Sequence, residues 1–322
     1  MGNTSVPSVQ LANGVEIPQV GLGVFRIPDF EVAQKTVQTA FEVGYRHIDT
    51  ASFYDNEAAV GAAIAASTIA RKDIFVTSKL WNNVRGYDNV KRQFQVTLDK
   101  LQLTYLDMYL IHWPAPGYNE VWRAFEDLYD AGLIRAIGVS NFTPAQLTDL
   151  MNHARIKPMV DQIETHPYLQ QTSDQVFLKA HHIIHEAWSP LGGENNGAHD
   201  LLVLGQTKAF TFSDHTHSVL TNPVLTAIAQ KVGKTVAQVI LRWHIQRGEV
   251  IIPKSVHKAR LIENLAIFDF QLSPADMAAI TTLDRQQRVG GDPNDADWLR
   301  YSMSYSTLAQ RLANEVKQNK HQ

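Results

Sequence analysis

Asp49, Tyr54, Lys79 and His112 are the residues of this chain whose types together make a proton-transfer site. A phenol with its ordinary pKa of about 10 exchanges protons poorly at neutral pH. A neighbouring ammonium lowers that value, and a carboxylate beside the ammonium keeps it charged and oriented. On this reading Tyr54 is the proton donor, Lys79 tunes it and Asp49 holds Lys79. His112, if neutral, donates a hydrogen bond to a carbonyl oxygen and stabilises the charge developing there. An acid catalyst beside an oxyanion donor suits the reduction of a carbonyl group.

Four residues so far apart in sequence need a scaffold that brings element ends together. Short, nearly continuous apolar runs predict strands at 20–23, 47–49, 75–79, 106–111, 136–140, 161–164, 183–188 and 250–253. Helical patterns lie between them. Val90, Phe94, Leu98 and Leu101 share one face of a 3.6-residue period, as do Val121, Phe125 and Leu128, and Val236, Val239, Ile240 and Trp243. Thr143-Pro144, Asn222-Pro223 and Ser273-Pro274 each place a capping side chain before a proline suited to the first helical position. Eight strand-then-helix units without a Pro- or Ser-rich linker predict an α/β fold, a closed (β/α)8 TIM barrel, as a single domain over 1–322. Runs at 9–11 and 15–17, joined through Asn13-Gly14, predict a two-residue hairpin ahead of it. Two stretches stand outside the repeat: a loop insertion at 192–218 and a C-terminal extension at 285–322.

In such a barrel the chemistry collects where strands end. Those positions hold Asp49 and Tyr54, Lys79, His112 and Trp113, Ser140 and Asn141, Gln162, Trp188 and Lys254. Several other signals fail on spacing. Gly21-Leu22-Gly23 lacks the third glycine of a dinucleotide turn, since Arg26 stands there, and Gly233-Lys234-Thr235 has Ile228 where a phosphate loop needs glycine. His181, His182 and His185 have no carboxylate at ligand spacing, so no metal is expected.

Composition narrows the classes further. The chain has 322 residues, 44% of them hydrophobic, enough to bury a sizeable core. Its 29 Lys and Arg against 32 Asp and Glu leave a net charge of −3, which offers no field for a nucleic acid or an anionic membrane. The absence of cysteine excludes disulfides, thiolate metal sites and a thiol nucleophile. The N-terminus shows no signal-peptide pattern and no run reaches membrane-spanning length, so a cytoplasmic location is the expectation.

Six stretches, GYRHIDTA (44–51), FVTSKLWN (75–82), LIHWP (110–114), IGVSNF (137–142), WSPLG (188–192) and IPKSV (252–256), together resemble the signatures of the aldo-keto reductase superfamily. LWNNVRGYDN (80–89) and AWSPLG (187–192) are most similar to the bacterial branch that contains the 2,5-diketo-D-gluconate reductases. The resemblance implies an NADPH-dependent barrel enzyme acting on a small-molecule carbonyl substrate, with the tetrad Asp49, Tyr54, Lys79 and His112. It places Ser140, Asn141 and Gln162 on the nicotinamide carboxamide, Trp188 against the ring, and Ser189 and Leu191 at the pyrophosphate. Lys254, Ser255, the backbone of Val256 and Arg260 would receive the 2′-phosphate, and Glu263 and Asn264 would meet the adenine. Phe25, Phe53, Trp81 and Trp113 would line an apolar substrate pocket. A monomer is expected, and neither nucleic acid nor membrane as partner. Against the family pattern, the 192–218 stretch is an insertion, either a cover for the pyrophosphate or an excursion. A Schiff-base aldolase on Lys79 and a cofactor-sensing subunit without turnover are the competing readings of the same barrel.

Overall fold

A computed structural model of the chain describes residues 6–193, 218–307 and 309–311. The predicted insertion at 192–218 falls almost wholly outside the described residues, as does much of the end of the C-terminal extension.

Among the described residues ten strands form two sheets. β1 (Ser8–Gln10) and β2 (Glu16–Pro18) pair antiparallel with Val9 opposite Ile17. β3 (Leu22–Gly23), β4 (His47–Asp49), β5 (Phe75–Leu80), β6 (Leu106–Ile111), β7 (Ile134–Ser140), β8 (Val160–Glu164), β9 (Ile184–Trp188) and β10 (Val250–Ile251) follow one another in sequence and in space, all parallel. A parallel bridge between Val20 and Ile251, with Gly21 N donating to Ile251 O at 2.8 Å, joins the last strand to the first and closes the barrel. All eight barrel strands were legible in the sequence, with edges shifted by a few residues.

The hairpin differs from its prediction. Leu11 N donates to Val15 O at 2.8 Å and Gly14 N to Leu11 O at 2.9 Å, so three residues, Ala12, Asn13 and Gly14, form the loop. Gly14 takes φ +86°, a left-handed step that a glycine supplies without strain. The loop therefore needs one residue more than an Asn-Gly pair.

Every residue of β5, β6 and β8 is buried, because the barrel interior covers one face and the helices the other. Two predicted helical stripes are wholly buried, Val90, Phe94, Leu98 and Leu101 in α1 (Tyr87–Leu101), and Val121, Phe125 and Leu128 in α2 (Tyr118–Asp130). In α3 (Val236–Gln246) Val239, Ile240 and Trp243 are buried but Val236, at the first turn, is half-buried. The three proline-led caps form as read. Thr143 and Ser273 close capping boxes with Gln146 and Asp276, and Asn222 accepts from Val224 N and Leu225 N. The glycines of the failed dinucleotide turn have a packing role instead: a Cβ on Gly23 would lie 2.8 Å from Ile252 O, and one on Gly21 would lie 2.5 Å from His47 Nδ1. They let the first strand approach its neighbours closely. Among the described residues no single helix is long and apolar enough to cross a membrane.

Candidate active site

The 3-10 turn Ser52–Tyr54 carries the phenol over the end of β4. Its return path is held by Asn56, whose Nδ2 donates to Val24 O and Ile27 O at 2.8 and 3.1 Å and whose Oδ1 accepts from Thr50 Oγ1 at 2.7 Å. Ser52 Oγ donates to Lys79 O at 2.9 Å, tying the turn to β5.

The four proton-transfer candidates converge. Lys79 Nζ donates to Asp49 Oδ1 at 2.5 Å and to Thr50 O at 2.9 Å, and it lies 3.4 Å from the Tyr54 hydroxyl. The Tyr54 and His112 rings stand 5.5 Å apart, edge to face. Lys79 is fully buried and Asp49 is 1% exposed, so this ion pair is shielded from solvent screening. Burial alone would lower the Lys79 ammonium, but Asp49, Tyr54 and Glu186 outweigh it and raise its pKa, so it stays charged. Burial pushes the Asp49 carboxyl up, while Lys79 and Gln162 pull against that shift. His112 is held well below its ordinary value, first by burial and then by the Lys79 charge, and is therefore a neutral imidazole.

Tyr54 corrects one expectation. Burial pushes its hydroxyl up to about 12, and the Lys79 charge only moderates the rise. Desolvation of the phenolate outweighs one ammonium 3.4 Å away, so the phenol carries its proton throughout the neutral range.

A second polar group adjoins the first. Ser140 Oγ donates to Gln162 O at 2.7 Å, and Asn141 Nδ2 donates to His112 O at 3.1 Å and to Ser140 Oγ at 3.0 Å. Asn141 Oδ1 accepts from Trp188 Nε1 at 2.8 Å, which fixes the indole beside the cleft. Gln162 Nε2 donates to Asp49 Oδ2 at 2.8 Å, linking this group directly to the ion pair.

The four aromatic candidates gather at the same mouth. Phe53 stacks on Trp81 with centroids 3.9 Å apart, Trp81 lies 4.9 Å from His112, and Phe25 lies 4.8 Å from Tyr54. Trp113 lies 6.5 Å from Trp188. Residues that the sequence reading did not single out complete the wall. Trp298 meets Trp113 at 4.4 Å, Tyr305 O accepts from Trp81 Nε1 at 2.8 Å, and Ser302 Oγ accepts from Asn82 Nδ2 at 2.6 Å. All three come from the C-terminal extension. Buried Glu164 anchors the same segment by accepting Val289 N at 2.5 Å and Gly290 N at 3.0 Å, and a Cβ on Gly290 would lie 2.3 Å from the Trp188 ring.

The remaining candidates lie along the turns after β9 and β10. Ser189 adopts φ +48° and Leu191 packs between the two hydrophobic clusters. Lys254, Val256 and Arg260 are exposed, and Ser255 is buried with its Oγ accepting from His257 N at 3.1 Å. Arg260 makes no hydrogen bond or ion pair with the described residues, so its guanidinium is open to an anion. Glu263 accepts from Thr235 Oγ1 at 2.5 Å, whereas Asn264 is buried.

Among the described residues no group of three or more His, Cys, Asp or Glu could hold a metal. The spacing argument for the histidines needs one correction, because Glu249, distant in sequence, lies 3.4 Å from His185 Nδ1. Arg247 Nε also binds that carboxylate, at 2.8 Å, which makes it an internal ion-pair network.

Comparison with known proteins agrees with the geometry. The model of the Aldo/keto reductase family matches residues 19–285. A glyoxal reductase of Bacillus subtilis is 47% identical over 289 residues, covering 89% of this chain and 96% of that protein. The crystal structure of an aldo/keto reductase from Brucella melitensis superposes with a TM-score of 0.78 at 45% identity, over 87% of this chain and 100% of its own. That of a Bombyx mori aldo-keto reductase in complex with NADP gives 0.79 at 37% identity, over 92% and 97%.

Proposed function

The chain belongs to the aldo/keto reductase family, and from that premise we propose that it reduces aldehydes and ketones to alcohols with NADPH, using Tyr54 as general acid. The observation that carries this reading is the buried arrangement of Tyr54, Lys79 and Asp49 beside a neutral His112.

The cofactor's donor set fits. Gln162 Oε1 makes no hydrogen bond with the described residues, while Asn141 Oδ1 spends one lone pair on Trp188 and keeps the other. Gln162 and Asn141 would hold the carboxamide together with Ser140. Trp188 would cover the ring, and Ser189 and Leu191 would border the pyrophosphate. Lys254, Ser255, Val256 and Arg260 would hold the 2′-phosphate, with Glu263 and Asn264 toward the adenine. When bound, NADPH supplies the hydride.

The protein's part is acid and electrostatic chemistry. Tyr54 gives its proton to the substrate oxygen as negative charge builds there. Lys79 then stabilises the phenolate left behind, and Asp49 keeps Lys79 charged and in place. His112 supplies a neutral hydrogen-bond donor to the same oxygen. Phe25, Phe53, Trp81 and Trp113 exclude water and offer an apolar surface to the rest of the substrate. Within the family, LWNNVRGYDN and AWSPLG support a place beside the 2,5-diketo-D-gluconate reductases. We read the chain as one catalytic domain.

A panel of carbonyl compounds with NADPH, followed by loss of absorbance of the reduced cofactor, tests the reading. Consumption with some aldehydes or ketones is expected, and none with any of them overturns it. A Schiff-base aldolase would act without nucleotide and be trapped on Lys79 by borohydride. In the same assay Arg260→Ala is expected to raise KM for NADPH by roughly tenfold, since a charge-assisted hydrogen bond to phosphate is lost. KM for NADH should hardly change. Equal losses for both nucleotides would remove Arg260 from the 2′-phosphate.

A further inference from the structure

Glu186 lies in the barrel interior, on β9, in a place that the tetrad does not use. Strand register sets Ser140 level with Gln162, and Gln162 level with Glu186, across β7, β8 and β9. Gln162 is 1% exposed and Glu186 fully buried. Gln162 Nε2 donates to Glu186 Oε2 at 2.9 Å as well as to Asp49 Oδ2 at 2.8 Å. An amide nitrogen has two hydrogens, so both are taken. Asp49 by itself decides which end of the amide points into the barrel. A second acceptor is needed to set the plane in which the amide lies, and with it the direction of the carbonyl.

We propose that Glu186 is a positioning residue for the nicotinamide end of the cofactor, fixing with Asp49 the plane of the Gln162 amide so that its carbonyl meets the carboxamide N–H. The inference rests on the assignment of Gln162 to the carboxamide.

The surroundings of Glu186 fit an uncharged carboxyl in this role. Its other oxygen, Oε1, makes no hydrogen bond with the described residues, and His47 Nε2 lies 3.7 Å from it. Burial, and after it the charge of Asp49, push the carboxyl up to about 8. His47 is held down to about 3 by burial and gives no positive charge in return. Oε2 thus serves Gln162 as a carbonyl acceptor, which a glutamine at the same position would reproduce and a leucine would not.

The test compares binding of NADP+ with its 3-acetylpyridine analogue, in which a methyl ketone replaces the carboxamide and offers no N–H. Dissociation constants come from quenching of tryptophan fluorescence in wild type, Glu186→Gln and Glu186→Leu. Wild type and E186Q are expected to favour NADP+ by roughly tenfold, and E186L by less than about twofold, the range of one unsatisfied hydrogen-bonding group. The preference for NADP+ over NAD+ should stay the same in all three, since the phosphate end is untouched. If E186L discriminates against the analogue as wild type does, the proposal is overturned. A wild type indifferent to the analogue overturns it together with the assignment of Gln162, leaving the reductase reading intact. A wild type that binds neither dinucleotide sinks the reductase reading itself. Should leucine not be accommodated, Glu186→Ala is read by the same ratios.

Discussion

Tyr54→Phe is expected to lower kcat for carbonyl reduction by roughly 10²- to 10⁴-fold, the range of a lost general acid. NADPH binding, followed by fluorescence, should stay within about twofold, because the substitution removes one oxygen and leaves the ring. The hydroxyl stands 3.4 Å from Lys79 Nζ, and burial has pushed it up to about 12. In reduction the working form is the protonated one, present at every pH below that value, so the tyrosine itself imposes no fall in rate across the neutral range. Alcohol oxidation needs the phenolate and should quicken as pH rises. A phenylalanine variant that keeps wild-type turnover would take the proton away from Tyr54.

Asp49→Asn is expected to damage the protein as a whole. The Lys79 ammonium is fully buried and, among the described residues, donates to one carboxylate, that of Asp49, at 2.5 Å. Losing one member of a buried ion pair costs about 3–5 kcal/mol, because the remaining charge is stranded in a poor solvent. For a chain of this size that corresponds to a fall in Tm of roughly 10 °C, readable by calorimetry. Adding Lys79→Met removes the stranded charge, so the double variant should unfold at a higher temperature than Asp49→Asn alone. If the two losses simply add, the pair does not act as a unit.

The architecture was readable because buried parallel strands leave short apolar runs between amphipathic helices, as at 106–111 and 136–140. Strand-end position then picked out Asp49, Lys79 and His112. The direction of the Tyr54 shift was not readable, since desolvation depends on what packs over the ring, and spacing is silent on that. Trp298, Ser302 and Tyr305 were missed because their segment has no strand-then-helix pattern and its path over the mouth is a long-range matter. Glu164 and Glu186 did leave a trace. Acids inside strands buried on both faces, one of them two residues from Gln162 and so on the same face, must be paired.

The segment that Glu164 anchors is made after the last strand of the barrel has been made. Polypeptide leaves the ribosome from its N-terminus onward, so the sheet can close while the entrance still lacks one side, and the finished contour arrives last. Shape at the entrance is thus separable from the integrity of the cylinder. Exchange of residues beyond 285 between related chains should redraw which molecules are admitted while the machinery beneath goes on transferring protons as before.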